Sequence, residues 1–412
     1  MGLPVPSAWG RGVAAGALVA ACLGIAACGS GSGQTTPQGL KGTQVGAAAN
    51  STYAAENAAA ATSLTPAAGS FLSRKSAVTV LGSTTPVNGD INPYAIWPVT
   101  QTVGAVKSGD VLVDNFNNAS NNQGTGTTIV DLHPNGQLSV FAQLPQTIAG
   151  CPGGVGLTTA MVQLKSGWVI VGSLPSTNGK IATAGAGCLI VLSPEGKLAG
   201  TISGTYLDGP WDAAVSDNGT TATLFVSNTL FGITGSSSDT AEIDKGDVVR
   251  LTLAESTAAA PKVTAETVVA SGFPERPDAS AFVRGPTGLA LGSDGTLYVA
   301  NNLGNSIAAI PDALIRTTSA GTGTILTKGG QLANPLGLAV APDGDLLAAN
   351  ATNGKIVEVT QGGKQTGEYY ADDDIGQEPP GDGDLFDVAV SQAGTGVLFV
   401  NDGTNVLDLL HS

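Results

Sequence analysis

Three stretches in the C-terminal third of this chain follow one order of residue types. They read GPTGLALGSDGTLYVANNLGNSI from Gly285, NPLGLAVAPDGDLLAANATNGKI from Asn334 and DLFDVAVSQAGTGVLFVNDGTNV from Asp384. Each is an apolar run of period two, a tight turn, a second such run and an Asn-bearing turn. A unit of this kind recurring about every 50 residues cannot bury its apolar faces alone, and it predicts blades of a β-propeller. The same order runs upstream with longer inserts. Aligned, the six copies place Ala95, Gly156, Asp212, Gly288, Gly337 and Asp387 in one column near the start of each inner strand. The expected fold is therefore all-β, a six-bladed propeller of four-stranded blades.

The last copy holds only three strands before Ser412, whereas residues 76–81 (SAVTVL) form a lone strand-like run ahead of the first blade. That run is expected to complete the final blade, because a ring closed with strands from both ends leaves no open edge to template aggregation.

The residues of blade four carry a resemblance. Pro286-x-Gly288-Leu289-Ala290, Asp294-Gly295, Tyr298-Val299-Ala300-Asn301 and Asn305-x-Ile307 resemble the NHL repeat of six-bladed propellers. The likeness extends well over blade five, moderately over blades three and six, and in outline over the first two. The family often has Asp where Asn301 and Asn350 stand and Arg where Ser306 and Lys355 stand, so no activity known in one branch is carried over.

The first residues belong to no blade. Arg11 precedes an apolar stretch too short for a membrane span, and Ile25-Ala26-Ala27-Cys28 followed by Gly-Ser-Gly-Ser-Gly resembles a bacterial lipobox. The resemblance implies a signal peptide over residues 1–27 and lipidation of Cys28. The protein would then be exported and held at the cell envelope, outside the cytoplasm, by its lipid alone. Residues 28–70 are small and polar and bury too little to offset ordering entropy, so they are expected to be a flexible tether, with the propeller over 71–412. Cys151 and Cys188, falling within one blade of an exported chain, are expected to form a disulfide. Buried free thiols are the alternative.

The charge balance excludes one large class of partner. With 17 basic against 32 acidic residues the formal net charge is −15, which does not suit nucleic acid.

The remaining candidates gather on the face where the inner strands begin. Asp212 and Asp387 are the two carboxylates in a column of small residues, opposite one another in a ring of six. In a narrow channel they would repel, so one holds a proton or both share a cation such as Ca²⁺, unless each is spent on backbone N–H groups of the next blade. Asn301 and Asn350 end second strands and either cap turns or present oxygen to the channel mouth. Asp372, Asp374, Asp382 and Asp384 lie in a Gly-rich loop before blade six and form a second candidate cation site, or simply a solvated acidic loop. Trp211 and Phe386, with Tyr94 and Trp97, suggest an aromatic mouth for a small molecule or peptide.

Only two histidines occur: His411 is penultimate, and His133 falls in a turn of the opposite face. Channel chemistry built on a histidine base is thereby set aside, as are Ser-His-Asp, HExxH and P-loop chemistry. Three functions stay open. The leading one is a non-catalytic platform for an envelope protein, peptide or small ligand. The second is a divalent-metal-dependent hydrolase or lactonase of the gluconolactonase-like kind, which resembles this fold. The third is a structural envelope protein.

Overall fold

A computed structural model describes residues 64–176, 178, 180–230, 241–278, 282–372 and 379–412. Cys28, the signal segment, residues 28–63 of the tether and Asp374 lie outside the described residues.

Six antiparallel sheets follow one another along the chain. Blade one comprises Ile91–Pro98, Val111–Asn117, Thr128–Leu132 and Leu138–Gln143. In blade two, Gly156–Leu157 and Met161–Gln163 both pair with Val169–Pro175, followed by Cys188–Leu192 and Leu198–Ile202. Blade three runs Pro210–Asp217, Thr221–Asn228, Ile243–Ala254 and Lys262–Asp278, and adds a fifth strand, Phe282–Arg284. Blade four is Pro286–Leu291, Leu297–Asn301, Ser306–Ile310 and Thr324–Lys328. Blade five is Pro335–Val340, Leu346–Asn350, Lys355–Val359 and Gln365–Tyr370. Among the described residues the helical content is two single 3₁₀ turns, Leu72–Arg74 and Ile181–Thr183.

Blade six is assembled from both ends of the described chain. Leu385–Val390, Val397–Asn401 and Val406–His411 are joined by Ala77–Ser83, which lies antiparallel to Val406–His411 with Val78 opposite Leu410. Packing begins earlier than the expected boundary at residue 71. The Ala67 N–H donates to Thr366 O, and the Glu368 N–H donates to Leu64 O, along the outer strand of blade five. The Glu358 carboxylate then accepts the N–H groups of Phe71 and Leu72 at 2.7 and 2.8 Å, fixing the chain before it enters blade six.

Turn chemistry explains why the repeats break where they do. Gly295 and Gly344, at the first turns of blades four and five, have φ of +86° and +92°, a region that an L side chain rarely enters. The apolar core sits between blades. Ala290, Tyr298 and Ile307 of blade four meet Leu338, Leu346 and Val357 of blade five, and equivalent clusters fill the other seams. Second strands such as Leu297–Asn301 are buried throughout, whereas the outer strand Leu138–Gln143 exposes Ser139, Val140 and Gln143.

Cys151 and Cys188 form a disulfide with Cα atoms 5.4 Å apart, tying the approach to blade two to its third long strand. The extra length of blade three is a hairpin. Its fourth strand runs 17 residues, and Arg276, Pro277 and Asp278 pair with Arg284, Val283 and Phe282.

Candidate functional site: an axial channel with a carboxyl floor

Inner strands begin on one face, here the upper, and end on the lower. In five of the six the pairing to the second strand slips by one residue near the start. Pro93 faces Asn115 and Ile96 faces Val113; Pro210 faces Asn228 and Asp212 faces Ser227; Pro286 faces Asn301 and Leu289 faces Val299. Blades five and six repeat this at Pro335/Leu338 and Leu385/Val388. Each slip is a β-bulge at or next to the aligned column, and such bulges re-aim the extra residue.

The bulge lets Asp212 and Asp387 reach sideways. Asp212 Oδ1 accepts the N–H of Ala213 at 2.7 Å and Oδ2 that of Leu289, in blade four, at 2.6 Å. Asp387 Oδ1 accepts the N–H of Val388 at 2.8 Å and Oδ2 that of Ile96, in blade one, at 3.2 Å. The two positions, half a ring apart, are built alike. The glycines between them are tight: a Cβ on Gly337 would lie 2.3 Å from Asp387 Oδ1, and one on Gly288 2.3 Å from Leu336 O.

A third carboxyl joins them. Asp114, in the second strand of blade one, is fully buried and accepts the Ala95 N–H at 2.8 Å, and its Oδ2 has no hydrogen-bond partner. Its only sequence signal is a lone acid inside the apolar run VLVDNF.

Above the column the channel is shut. Tyr94, Phe116, Leu157, Trp211, Leu336 and Phe386 pack with Phe282 and Val283 of the blade-three hairpin into one apolar cluster. Phe386 stacks on Tyr94 with ring centres 5.6 Å apart, and Trp211 Nε1–H donates to Tyr94 Oη at 2.8 Å. Trp211 and Phe386 are therefore a plug and not the open mouth expected from the sequence. The insertion in blade three covers them.

Below the column a cavity of about 300 Å³ follows the second halves of five inner strands and ends where those strands end, on the lower face. Asp212 and Asp387 stand at its inner end, and Ala213, Ala290, Ala339 and Ala389 are among the residues along its walls. Both acids are deep in the molecule yet only half-buried, because their free surface is channel surface.

That placement decides their charge. Burial pushes the Asp212 carboxyl well above the usual carboxylate range, and the Asp387 charge pushes it the same way against the hydrogen bonds from Leu289 and Ala213. Burial also raises Asp387, to about 7, against the Val388 and Ile96 N–H groups. Asp114 is driven up by burial as well, and Tyr94 by burial and then by the charges of Asp387 and Asp212. Asp212 and Asp387 titrate as a coupled pair. Burial and the neighbouring charge both favour a protonated carboxyl at this end of the channel.

The other sequence candidates lie elsewhere. Asn301 Nδ2 donates to Pro274 O and its Oδ1 accepts the Gly304 N–H; Asn350 Nδ2 donates to Gln331 O and its Oδ1 accepts the Ala333 N–H. Both are buried turn-closing side chains and neither lines the channel. The equivalent residue in blade six is Asn401, which faces Leu385.

Asp372 is buried with its Oδ2 accepting the Asn401 Nδ2–H at 2.9 Å, and Asp384 is buried under Gly403. Burial raises Asp382 to about 6, against the pull of Arg284. None of the three lines the channel. Arg276 and Arg284 pair with Asp278 at 3.3 and 3.1 Å.

The donors were also expected to hold a divalent cation. Each oxygen of Asp212 and Asp387 already accepts one backbone N–H, which leaves one lone pair apiece for a cation or a ligand hydrogen. Among the described residues, the triads of His, Cys, Asp or Glu with ligand atoms within 4.8 Å of one another are Asp110–Asp131–His133 and Asp343–Asp345–Glu358. Neither includes a channel residue, and Asp372, Asp382 and Asp384 do not form one.

No protein-family model matches the chain, and no curated protein is similar to it. Solved structures are. A gluconolactonase from Xanthomonas campestris superposes with a TM-score of 0.50 at 14% identity, over 85% of this chain and 97% of that one. A structural-genomics protein provisionally designated a gluconolactonase gives 0.51 at 14% identity, over 85% and 98%. At such identity the likeness concerns the fold alone: six-bladed propellers of this type share the architecture described here.

Proposed function

We propose that this protein is a lipid-anchored envelope propeller that captures a small ligand in its axial channel from the lower face, without turning it over. The ligand is small and has a cationic or hydrogen-bond-donating end. One observation carries this reading. The cavity of about 300 Å³ is lined by small aliphatic side chains with Trp97 and Met161, exposes at least as much polar as apolar surface, and ends on Asp212 and Asp387, whose oxygens are held by backbone N–H groups. That volume is at the low end for small-molecule sites, and placed polar groups at the inner end of a cavity are how such sites orient a ligand. Carboxyls fixed this way can still accept a proton or an ammonium hydrogen through their remaining lone pairs.

The competing reading is a metal-dependent lactonase; the Xanthomonas protein that shares the fold is named a gluconolactonase. It would need Asp212 and Asp387 to share a cation through the lone pairs that their backbone hydrogen bonds leave.

One screen separates the two. Straight-chain alkylamines and the matching alcohols are titrated against the full chain, with melting temperature as readout. Lactone and ester turnover is assayed in parallel with Ca²⁺, Mn²⁺ and Zn²⁺. Saturable amine binding that Asp212→Asn/Asp387→Asn abolishes, with no turnover, supports capture. Metal-dependent turnover lost in the same variant replaces it with hydrolysis. Neither effect leaves a structural propeller and sinks both.

A further inference from the structure

His133 lies on the lower face, the open one, where it meets two buried acids. Asp110 precedes the second strand of blade one, Asp131 is the penultimate residue of the third strand, and His133 follows that strand. Leu112 pairs with Asp131, and side chains two apart share a side of the sheet, so Asp131 and His133 project together next to the turn that carries Asp110. His133 Nδ1 is 3.0 Å from Asp110 Oδ1 and 3.8 Å from Asp131 Oδ2. One ligand atom from each of the three lies within 4.8 Å of the others.

Two further observations mark this as more than an acidic cluster. Asp110 and Asp131 are only 2% and 3% exposed, and Asp131 Oδ1 is buried with no hydrogen-bond partner. A buried acceptor without a donor and two buried carboxyls side by side are both costly unless a cation or a shared proton sits between them. Asp110 is also held in place: its Oδ2 accepts the Lys107 N–H at 2.8 Å, the kind of outer bond that orients a ligating carboxylate.

We propose that Asp110, Asp131 and His133 form a divalent transition-metal site, best suited to Zn²⁺. Imidazole with carboxylates is the donor set of zinc and its first-row neighbours, whereas Ca²⁺ and Mg²⁺ take oxygen alone. Bonds of about 2.0–2.1 Å in a tetrahedron put ligand atoms about 3.3–3.4 Å apart, and the separations of 3.0 and 3.8 Å bracket that edge. Three protein ligands leave a fourth position for water or another donor. The ion would staple the first turn of blade one to its last turn, beside the seam where Gln392 Nε2 of blade six donates to Ser108 Oγ at 2.7 Å.

The test uses the full chain stripped with EDTA and then titrated with ZnCl₂ by calorimetry, with elemental analysis after dialysis. The expected result is one zinc per chain and a higher melting temperature. His133→Ala and Asp131→Asn should each weaken binding at least tenfold, while Asp343→Asn/Asp345→Asn leaves it intact. Asp131→Asn keeps the shape of the side chain, so it decides the matter if His133→Ala does not fold. Absence of stoichiometric zinc in the unaltered chain, or undiminished binding in Asp131→Asn, overturns the site.

Discussion

Asp387 accepts the N–H of Ile96 across the seam at which the last blade meets the first, the same bond that Asp212 makes to Leu289 half a ring away. These are the two acids at the inner end of the channel, so one pair of side chains both ties neighbouring blades together and sets the charge a ligand meets. A carboxyl in that position acts as acceptor whether or not it carries a proton. Only its electrostatic pull on a ligand changes on titration.

Alkylamine affinity should therefore rise with pH. Asp387 loses its proton around pH 7, and an ammonium is favoured by the ionised form. Calorimetry between pH 5.5 and 8.5 is expected to show a gain of about tenfold, while Asp387→Asn binds weakly and with no pH dependence. A flat profile in the unaltered protein contradicts the assignment of Asp387.

Stability should move the other way. An acid raised in the fold, relative to about 3.9 in the unfolded chain, binds its proton more tightly when folded. Its contribution is complete below about pH 4 and is lost as pH climbs through the folded value. Asp387 is raised to about 7, and Asp247 and Asp408 to about 6, each chiefly by burial. Asp217 and Asp294 are lowered, so their contribution changes only in more acid solution and does not enter this window. The melting temperature is expected to be higher at pH 5 than at pH 8, and Asp387→Asn to reduce that difference.

The N-terminal latch should be worth several kcal/mol. Glu358→Ala leaves the buried Phe71 and Leu72 N–H groups without acceptors, at about 1–3 kcal/mol each. Removing everything before residue 84 strips Ala77–Ser83 from blade six and opens an edge on Val406–His411. Urea melts should show a partial loss for the first and a collapse of cooperative unfolding for the second. An unchanged melt for the truncation would contradict closure by that strand.

Breaking the disulfide tests a different part of the ring. Cys151 and Cys188 are separated by 37 residues, and on the chain-entropy account closing such a loop stabilises by about 3–4 kcal/mol. Cys151→Ser/Cys188→Ser is expected to lose about that much in denaturant unfolding, with blades four to six unaffected in hydrogen exchange at low denaturant.

Much of this architecture is written locally. The alternation of Leu297–Asn301 and Leu346–Asn350 and the turns at Gly295 and Gly344 are short-range signals, so the blades and the Asp212/Asp387 column could be read directly. The closure of the channel could not. It depends on Phe282 and Val283 reaching Trp211 and Phe386, and the strand that delivers them contains Pro274 and Pro277, which read as loop. In blade six Asn401 and Asp402 are equally good turn residues by sequence, and only the pairing with Leu385 shows that Asn401 ends the strand. Asp114 was hidden by its strand. His133 was correctly placed on the face away from the strand starts, but that is the face on which the channel opens.

The most direct test of channel capture is a crystal structure of the protein with 6-bromohexylamine. Bromine anomalous density towards the lower face, with the nitrogen within hydrogen-bond distance of Asp212 or Asp387, is the predicted result. A channel without ligand density at saturating amine, or a metal ion bridging the two carboxyls, would contradict it.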